Sequence, residues 1–457
     1  MSSLFARLRG RKAAATAAQP VEPRQSRQSI YTPAILLLAL TVGISYLGLG
    51  FVMPLRALYS QQVGATSGEV GLMASSALLT GFLAAPPIGW LTDRFGARTI
   101  LWLGLLAHAV LVLSYAFVQN PVALIGLRAL EGIAITGVLP PSRALMNALA
   151  PSTRQGEALG ILGSAQMVGI LLGPALGTLL ANQVGYVPAF VVACVPLFIG
   201  AFSARLMLPR QAGQGGRKSP QPAAAVAQEA TTTATQGAPL PRRSGWRAQF
   251  TPQLWLVYAL AAILYVTQGT ITAIWSLYMV ARGSSLPVLG LSYTTYALPA
   301  MLLAPLTGRL SDRHGRYWPI LGGFVCYAVI YFIFGLPVSP FWLVVISAIE
   351  GIIAAAVSSA LSGLLADVMP KEGQGKAQAN YSAATTLGAL LSATAAGYLY
   401  GISPGAPFIA SSAIFVLVSV ALCLPPLVRL FPARGRSTGA SVQSGNGADE
   451  MANELVS

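Results

Sequence analysis

The sequence predicts an all-α integral membrane protein of twelve transmembrane helices, arranged as two pseudo-symmetric six-helix bundles. Its composition, its long apolar segments and an internal repeat predict this fold. Of 457 residues, 54% are hydrophobic and only 9% are charged, whereas a soluble domain carries about 25% charged residues. The apolar segments run for roughly 18 to 28 residues, which as helices cross a hydrocarbon core of about 30 Å.

The apolar segments fall into two sets of six. The predicted spans are 33–58, 69–91, 99–118, 121–149, 156–181 and 186–208, followed by 253–280, 287–310, 317–336, 340–368, 375–400 and 404–429. The corresponding domain boundaries are an N-terminal tail 1–32, a first bundle 33–208, a linker 209–250, a second bundle 251–430 and a C-terminal tail 431–457. The linker is low in apolar residues, which predicts a flexible segment.

The basic residues predict the orientation. The formal net charge is +15, but the arginines and lysines concentrate at the two ends, in the linker and in alternate short loops. This is the positive-inside pattern of a membrane protein and not a nucleic-acid surface. It predicts a multi-pass protein of the cell membrane with both termini cytoplasmic. Arg56 and Arg282 are exceptions on the outer side; Glu69 and Arg282 are expected to be solvated loop charges.

An internal repeat relates the two sets of spans. Matching residues recur at a constant spacing of 219, without gaps, across five spans. The pairs include Tyr46 and Tyr265, Gly50 and Gly269, Gly71 and Gly290, Gly89 and Gly308, Asp93 and Asp312, Glu131 and Glu350, and Pro151 and Pro370. Duplicated halves of this kind build a central site at the repeat interface of many secondary transporters.

The loops after the second and eighth spans carry the same motif. The first reads Gly89-Trp-Leu-Thr-Asp93-Arg94-Phe-Gly96-Ala-Arg98, and the second reads Gly308-Arg-Leu-Ser-Asp312-Arg313-His-Gly315-Arg316. A basic turn that only obeys the positive-inside rule would explain the arginines but not the paired Gly, Leu and Asp. The motif resembles that of the major facilitator superfamily, and the resemblance covers nearly the whole chain.

The resemblance implies a conformational gate that stabilises the outward-facing state. The glycines are expected where two helices approach closely, and the aspartates where they cap a neighbouring helix. The family pairs the motif Arg with an acid at the end of the fourth or tenth span. Asp367 suits that role in the second half, whereas its counterpart in the first half is Ala148. The gate residues implied are Gly89, Asp93, Arg94, Arg98, Gly308, Asp312, Arg313, Arg316 and Asp367.

A glycine pattern in the fifth span is similar to the antiporter motif of drug/proton antiporters. It consists of Gly160, Gly169, Gly173, Pro174 and Gly177, with Thr178 where the family has a further glycine. Small residues four apart permit close helix packing, and a proline bends the span. An ordinary packing face is the alternative. The second half lacks the pattern, which favours efflux over uptake.

Two acids lie deep in the predicted spans. Glu131 lies ten residues inside the fourth span and three residues after Arg128, and Glu350 is its counterpart without a local Arg. Charges at that depth face a cavity or pair with each other. Glu131 is therefore the first candidate for the proton carrier, with Arg128 its regulator and Glu350 the second candidate. The alternative is a structural ion pair. His108 is expected to be structural.

Polar and aromatic residues share one face of the seventh span. Tyr265, Gln268, Thr272 and Trp275 recur at helical spacing, and with Tyr46 they are candidates for the substrate cavity, or else for packing. The function predicted is proton-coupled efflux of a small drug-like or amphipathic solute by alternating access. The alternatives are an importer or facilitator of a sugar, organic anion or siderophore, and a lipid flippase or non-transporting receptor. The expected partners are a small-molecule substrate, protons and the lipid bilayer, with no nucleic acid, cofactor, metal or enzymatic activity, and the protein is expected to be a monomer.

Overall fold

The computed structural model describes residues 31–208, 251–369 and 374–431. Predictions for the N-terminal tail 1–30, the linker 209–250 and the C-terminal tail from residue 432 therefore lie outside the described residues. The described chain folds into twelve long helical segments. The first six are α1 (Pro33–Gln62), α2 (Ser67–Phe95), α3 (Ala97–Ser114), α4 (Pro121–Leu149), α5 (Gln155–Val184) and α6 (Tyr186–Leu206). The second six are α7 (Pro252–Ala281), α8 (Leu286–His314), α9 (Tyr317–Gly335), α10 (Pro340–Val368), α11 (Gln374–Ile402) and α12 (Ala406–Leu422).

The helix starts repeat between the halves, as the sequence does. α1 and α7 each begin with a Thr-Pro pair, in which the hydroxyl of Thr32 or Thr251 accepts from a backbone N–H of the first turn. Proline fits the first helical position because it has no N–H to satisfy there. The predicted spans match these helices closely, although α1 continues to Gln62 and α12 ends at Leu422.

One predicted helix is interrupted. The fourth span breaks into Pro121–Thr136 and Leu139–Leu149. Pro140 and Pro141 follow the break and have no N–H to donate to the carbonyls of the preceding turn, so the helix ladder is lost there.

Packing within the two halves follows the same scheme. In the first half α1 packs on α5, α2 on α4 and α3 on α6; in the second half α7 packs on α11, α8 on α10 and α9 on α12. The halves meet where α2 contacts α11 and α5 contacts α8. The core of the second half is rich in aromatic residues, including Tyr327, Tyr331, Phe334, Phe408 and Phe415.

The described hydrogen bonds and close glycine contacts between the halves lie towards one end of the molecule. We call this the outer end; it is where α1 ends and α2 begins, and the charge pattern predicts it to face outward. A Cβ on Gly71 of α2 would lie 2.7 Å from the carbonyl oxygen of Ala393 in α11. Between α8 and α5, the Thr294 hydroxyl donates to the carbonyl of Leu171 at 3.0 Å. Towards the inner end, side chains of α2, α5, α8 and α11 are largely exposed, so the halves separate there.

Candidate functional site

A buried ionic cluster occupies the middle of the first half. Both carboxylate oxygens of Glu131 are held by arginines: Arg56 of α1 donates to Oε1, and Arg128 donates to Oε2 at 2.8 Å. The Glu131 side chain is fully buried, and those of Arg56 and Arg128 are 6% and 13% exposed. Two arginines against one carboxylate leave an excess positive charge, and such a buried ion pair is stable only with good geometry and additional hydrogen bonds.

Two residues of the third-span region complete this cluster. The hydroxyl of Tyr115 donates to Glu131 Oε2 at 3.1 Å. His108 Nε2 lies 3.4 Å from Glu131 Oε1, and neither ring nitrogen has a hydrogen-bond partner in the described structure. The sequence analysis counts Arg56 among the charges of the short outer loops. This placement is wrong, because α1 extends six residues beyond Arg56. His108 and Tyr115 also escaped sequence reasoning as members of this site.

The equivalent site in the second half contains no cation among the described residues. The Glu350 carboxylate is 3% exposed, and the hydroxyl of Tyr331 donates to it at 3.2 Å. No described Lys, Arg or His lies within salt-bridge distance of Glu350. At the repeat spacing of 219, the counterparts of Arg56, His108, Tyr115 and Arg128 are Trp275, Tyr327, Phe334 and Ser347. The two halves thus share the carboxyl but differ at every basic residue around it.

The predicted cavity residues separate into two groups. Tyr265 and Gln268 are exposed, and Gln268 donates to Thr272 at 3.2 Å. Trp275 fits the packing alternative and not the cavity. Its side chain is 3% exposed, and its Nε1 donates to Ser292 at 2.9 Å. It is buried because α7 passes into the closed outer end of the protein, where residues 273–279 are all buried.

Tyr46, the remaining cavity candidate, is buried in the apolar core of the first half. It is 9% exposed and interacts electrostatically with Arg143, on the second segment of α4. Sequence reasoning did not single out Arg143, although an arginine within a predicted span is a visible signal. In the second half, Tyr381 interacts with both Tyr265 and Ser362.

The first copy of the loop motif is open in this conformation. Asp93 is exposed, and no described hydrogen bond or salt bridge includes it. A Cβ on Gly89 would meet nothing within 4 Å. The expected helix cap and close approach are therefore absent from this described loop, because the halves are apart at the inner end. Arg94 packs over the ring of Trp90 at 5.2 Å, and Arg98 Nε donates to the carbonyl of Ala204 at 3.1 Å.

The second copy of the motif forms the expected pair with Asp367. Arg316 Nε donates to Asp367 Oδ2 at 3.0 Å, and its Nη1 donates to Asp312. A Cβ on Gly308 would meet nothing within 4 Å, so the predicted close approach is absent here too. Arg313 is exposed. Gly315 has φ +89°, a left-handed conformation that glycine adopts without a Cβ penalty and that reverses the chain between α8 and α9.

Most of the glycine pattern in α5 forms a close helix contact. Cβ atoms on Gly169 and Gly173 would lie 2.6 and 2.7 Å from backbone atoms of α1. Gly177 is similarly tight against Phe51, whereas Gly160 faces open space. Pro174 lies within α5 and packs beside Gly50 of α1. The packing explanation of this pattern therefore applies to three of its four glycines.

The two outer charges are less solvated than expected. Glu69 closes a capping box at the start of α2, in which its carboxylate accepts from the Thr66 N–H at 2.7 Å. The guanidinium of Arg282 lies over the ring of Tyr278 at 5.0 Å. Both charges thus have structural partners at the outer end.

Comparison with known proteins agrees with this architecture. The family model of the Major Facilitator Superfamily matches residues 38–281 and 260–444. The chain belongs to the Major Facilitator Superfamily. The resemblance seen in the motifs and the all-α twelve-helix fold predicted from the sequence are both confirmed.

Sequence relatives of this superfamily member include proteins named for multidrug resistance. A protein of Lactococcus lactis named multi-drug resistance efflux pump PmrA homolog is 28% identical over 394 residues, covering 83% of this chain and 91% of that protein. The multidrug resistance protein MdtG of Citrobacter koseri is 30% identical over 274 residues, covering 58% of this chain and 63% of that protein. A crystal structure of a single-residue mutant of the nucleoside transporter NupG has a TM-score of 0.69 at 12% identity, covering 87% of this chain and all of that one. That likeness shows the fold alone.

Proposed function

We propose that this superfamily member exports drug-like or amphipathic solutes across the cell membrane in exchange for protons, by alternating access of its two halves. The names of two sequence relatives, both multidrug resistance proteins, support export of such solutes. The glycine pattern of α5 resembles the antiporter motif in its spacing, and this resemblance supports exchange rather than uptake.

The conformation suits the loading step of an exporter. The halves are joined towards the outer end through α2 with α11 and α5 with α8, and they separate towards the inner end. With the orientation that the positive-inside pattern predicts, the cavity opens to the cytoplasm. A solute would therefore enter from the cytoplasm or from the inner leaflet.

The difference between the two buried carboxyls carries the proposal of proton coupling. An ionised Glu350 would be a buried charge without a described cation, which costs several kcal/mol, whereas the same charge on Glu131 is balanced by Arg56 and Arg128. We therefore reverse the order given by the sequence: Glu350 binds the transported proton, and Glu131 is the acid of a lasting ion pair.

This assignment gives the return step of the transport cycle a charge requirement. The empty transporter returns from the outward-facing to the inward-facing state with a proton on Glu350, since the ionised form would bury an unpaired charge. The proton then leaves to the inner side before the next solute is exported. Arg128 and Arg56 hold Glu131 through the cycle and keep α1 and α4 together.

Growth and accumulation measurements test the proposal. Cells that overexpress the protein and cells that lack it would be exposed to a panel of toxic amphipathic compounds. We expect overexpression to raise resistance and lower accumulation of some compounds, and a protonophore to abolish both effects. Inward concentration of a compound would indicate an importer, and binding without flux in proteoliposomes would indicate a receptor; either result contradicts the proposal.

A further inference from the structure

An uncharged polar face of α7 borders the space between the two halves. α7 contacts α8, α10, α11 and α12 in its own half and α1 and α2 in the first half, so it is enclosed by protein. The Thr270 hydroxyl lies 3.4 Å from that of Ser411 in α12. Gln268, two residues earlier, is on the opposite side of the helix because each residue turns the chain by about 100°, and it is exposed. This exposure is therefore to the cavity and not to lipid.

Gln268 offers hydrogen bonds to a solute near the middle of the membrane. It lies sixteen residues after the start of α7 at Pro252 and thirteen before its end at Ala281. Its Nε2 donates to the Thr272 hydroxyl at 3.2 Å, which orients the amide, and its Oε1 accepts from no described residue. A side-chain amide has two N–H donors and one carbonyl acceptor, so one donor and the acceptor are available to a ligand. Tyr265, exposed and one turn nearer the inner end, adds a ring suited to an apolar body.

No carboxylate of the described chain is exposed at this depth. Glu131 is fully buried between Arg56 and Arg128, and Glu350 is 3% exposed beside Tyr331. The other described acids each lie within the first or last three residues of a helix: Glu69, Asp93, Glu157, Asp312 and Asp367. Among the described residues, the middle of the cavity therefore offers no counter-ion to a cationic solute.

The basic residues of the interior oppose a cation further. Arg56 and Arg128 face the single carboxylate of Glu131, which leaves an excess positive charge, and the Arg128 side chain is 13% exposed. The exposed charges of the described chain that lie deeper than the terminal acids, Arg143 of α4 and Arg309 of α8, are also basic. Low-dielectric walls strengthen such a field, and a cation that leaves water here would lose its hydration without compensation.

We infer that the cavity selects uncharged amphipathic solutes, whose amide, carbonyl or hydroxyl group is hydrogen-bonded by Gln268, and that it excludes permanent organic cations. The inference rests on the proposed export function and names its substrate class. A neutral polar group exchanges its hydrogen bonds with water for hydrogen bonds with the amide of Gln268. A quaternary ammonium group has no N–H to donate to that amide and finds no carboxylate beside it.

Two probes with the same fluorescent aromatic-alkyl body test the inference, one ending in a carboxamide and the other in a trimethylammonium group. Neither end group titrates, so pH does not alter the probes. Equilibrium binding to the purified full-length protein in detergent needs no ion gradient, and uptake by protein-free micelles is subtracted. We expect the carboxamide probe to bind at least about tenfold more tightly than the ammonium probe, which is the effect of about one hydrogen bond.

Substitutions on α7 assign the preference to this face. Gln268→Leu removes the hydrogen bonds and should weaken carboxamide binding by about three- to tenfold, with ammonium binding unchanged. Gln268→Glu places a carboxylate of nearly the same shape in the cavity. In alkaline buffer, which ionises that carboxyl, ammonium binding should become at least about tenfold tighter. Thr272→Asp, one turn further along the same face, should act in the same direction. The control Gln253→Glu adds the same charge in the first turn of α7 and should change binding of neither probe.

Several outcomes would overturn the inference. These are equal or tighter binding of the ammonium probe by the unmodified protein, binding of neither probe, carboxamide binding that is insensitive to Gln268→Leu, and no gain of ammonium binding in either Gln268→Glu or Thr272→Asp. The proposed export function fails separately. If carboxamide binding depends on Gln268 but energised cells do not extrude that probe, the binding site stands and export is wrong. If cells extrude both probes equally, export stands and the selectivity is wrong.

Discussion

Replacing each buried glutamate by glutamine should affect stability very differently in the two halves. Glu131→Gln removes the carboxylate between Arg56 and Arg128 and leaves two buried cations facing each other. Removing one partner of a buried pair costs about 3–5 kcal/mol. Glu350→Gln leaves no charge behind, and its amide oxygen can still accept from Tyr331, so about 1 kcal/mol or less is expected.

Thermal unfolding of the purified variants in detergent measures this difference. If each half of roughly 180 residues unfolds as a unit, 1 kcal/mol corresponds to about 2–4 °C. Glu131→Gln should then lower the midpoint by about 6–20 °C, and Glu350→Gln by less than about 4 °C. The double variant Arg56→Gln/Glu131→Gln is the control, and it should be more stable than Glu131→Gln alone because one uncompensated charge is gone.

The reasoning is refuted by equal losses in the two single variants, or by a larger loss in Glu350→Gln. Either result would mean that Glu350 is ionised and held by a charge that the described structure does not place beside it. If the double variant unfolds at the same temperature as Glu131→Gln alone, Arg56 and Glu131 are not coupled.

Three further predictions concern the conformational cycle. Gly71→Val should oppose outer closure by about 1–3 kcal/mol, a shift of about 5- to 150-fold towards the outward-facing state, and labelling of a cysteine introduced at the outer mouth should rise. The control Gly126→Val, whose side chain would meet open space, should leave this labelling unchanged. Equal labelling in the two variants would reject outer closure by α2. Asp93→Asn and Asp312→Asn should both slow transport without abolishing solute binding, and normal flux with unchanged labelling of the inner mouth would remove the gate assignment. Replacing 209–250 by a Gly/Ser chain of equal length should leave flux within about twofold, and loss of flux in correctly inserted protein would show that the segment orders or binds something.

The fold could be read from the sequence because its signals are repeated and local. Apolar length gives each span, and the constant spacing of 219 fixes the correspondence between the halves. The break in α4 was also visible, since Pro140 and Pro141 remove two consecutive N–H groups. The sequence nevertheless predicts one unbroken span, because the apolar pattern continues through these prolines to Leu149.

The site was predicted less completely because it depends on contacts between helices. Spacing along α4 brought Arg128 and Glu131 together, but no spacing rule brings Arg56 of α1 or His108 of α3 to the same carboxylate. Trp275 illustrates the opposite error. It shares a helical face with Tyr265, yet that face passes from the open cavity into the closed outer end, which periodicity along one helix does not reveal.

Proton movement in proteoliposomes tests the central claim most directly. Purified protein would be reconstituted with a pH-sensitive dye in the lumen, and an exported compound added outside would move inward down its gradient. Antiport predicts that protons leave as the solute enters, so the lumen becomes alkaline. We expect Glu350→Gln to abolish this change while exchange of labelled for unlabelled solute continues. Solute entry without alkalinisation in the unmodified protein, or unchanged alkalinisation in Glu350→Gln, would contradict proton-coupled export through Glu350.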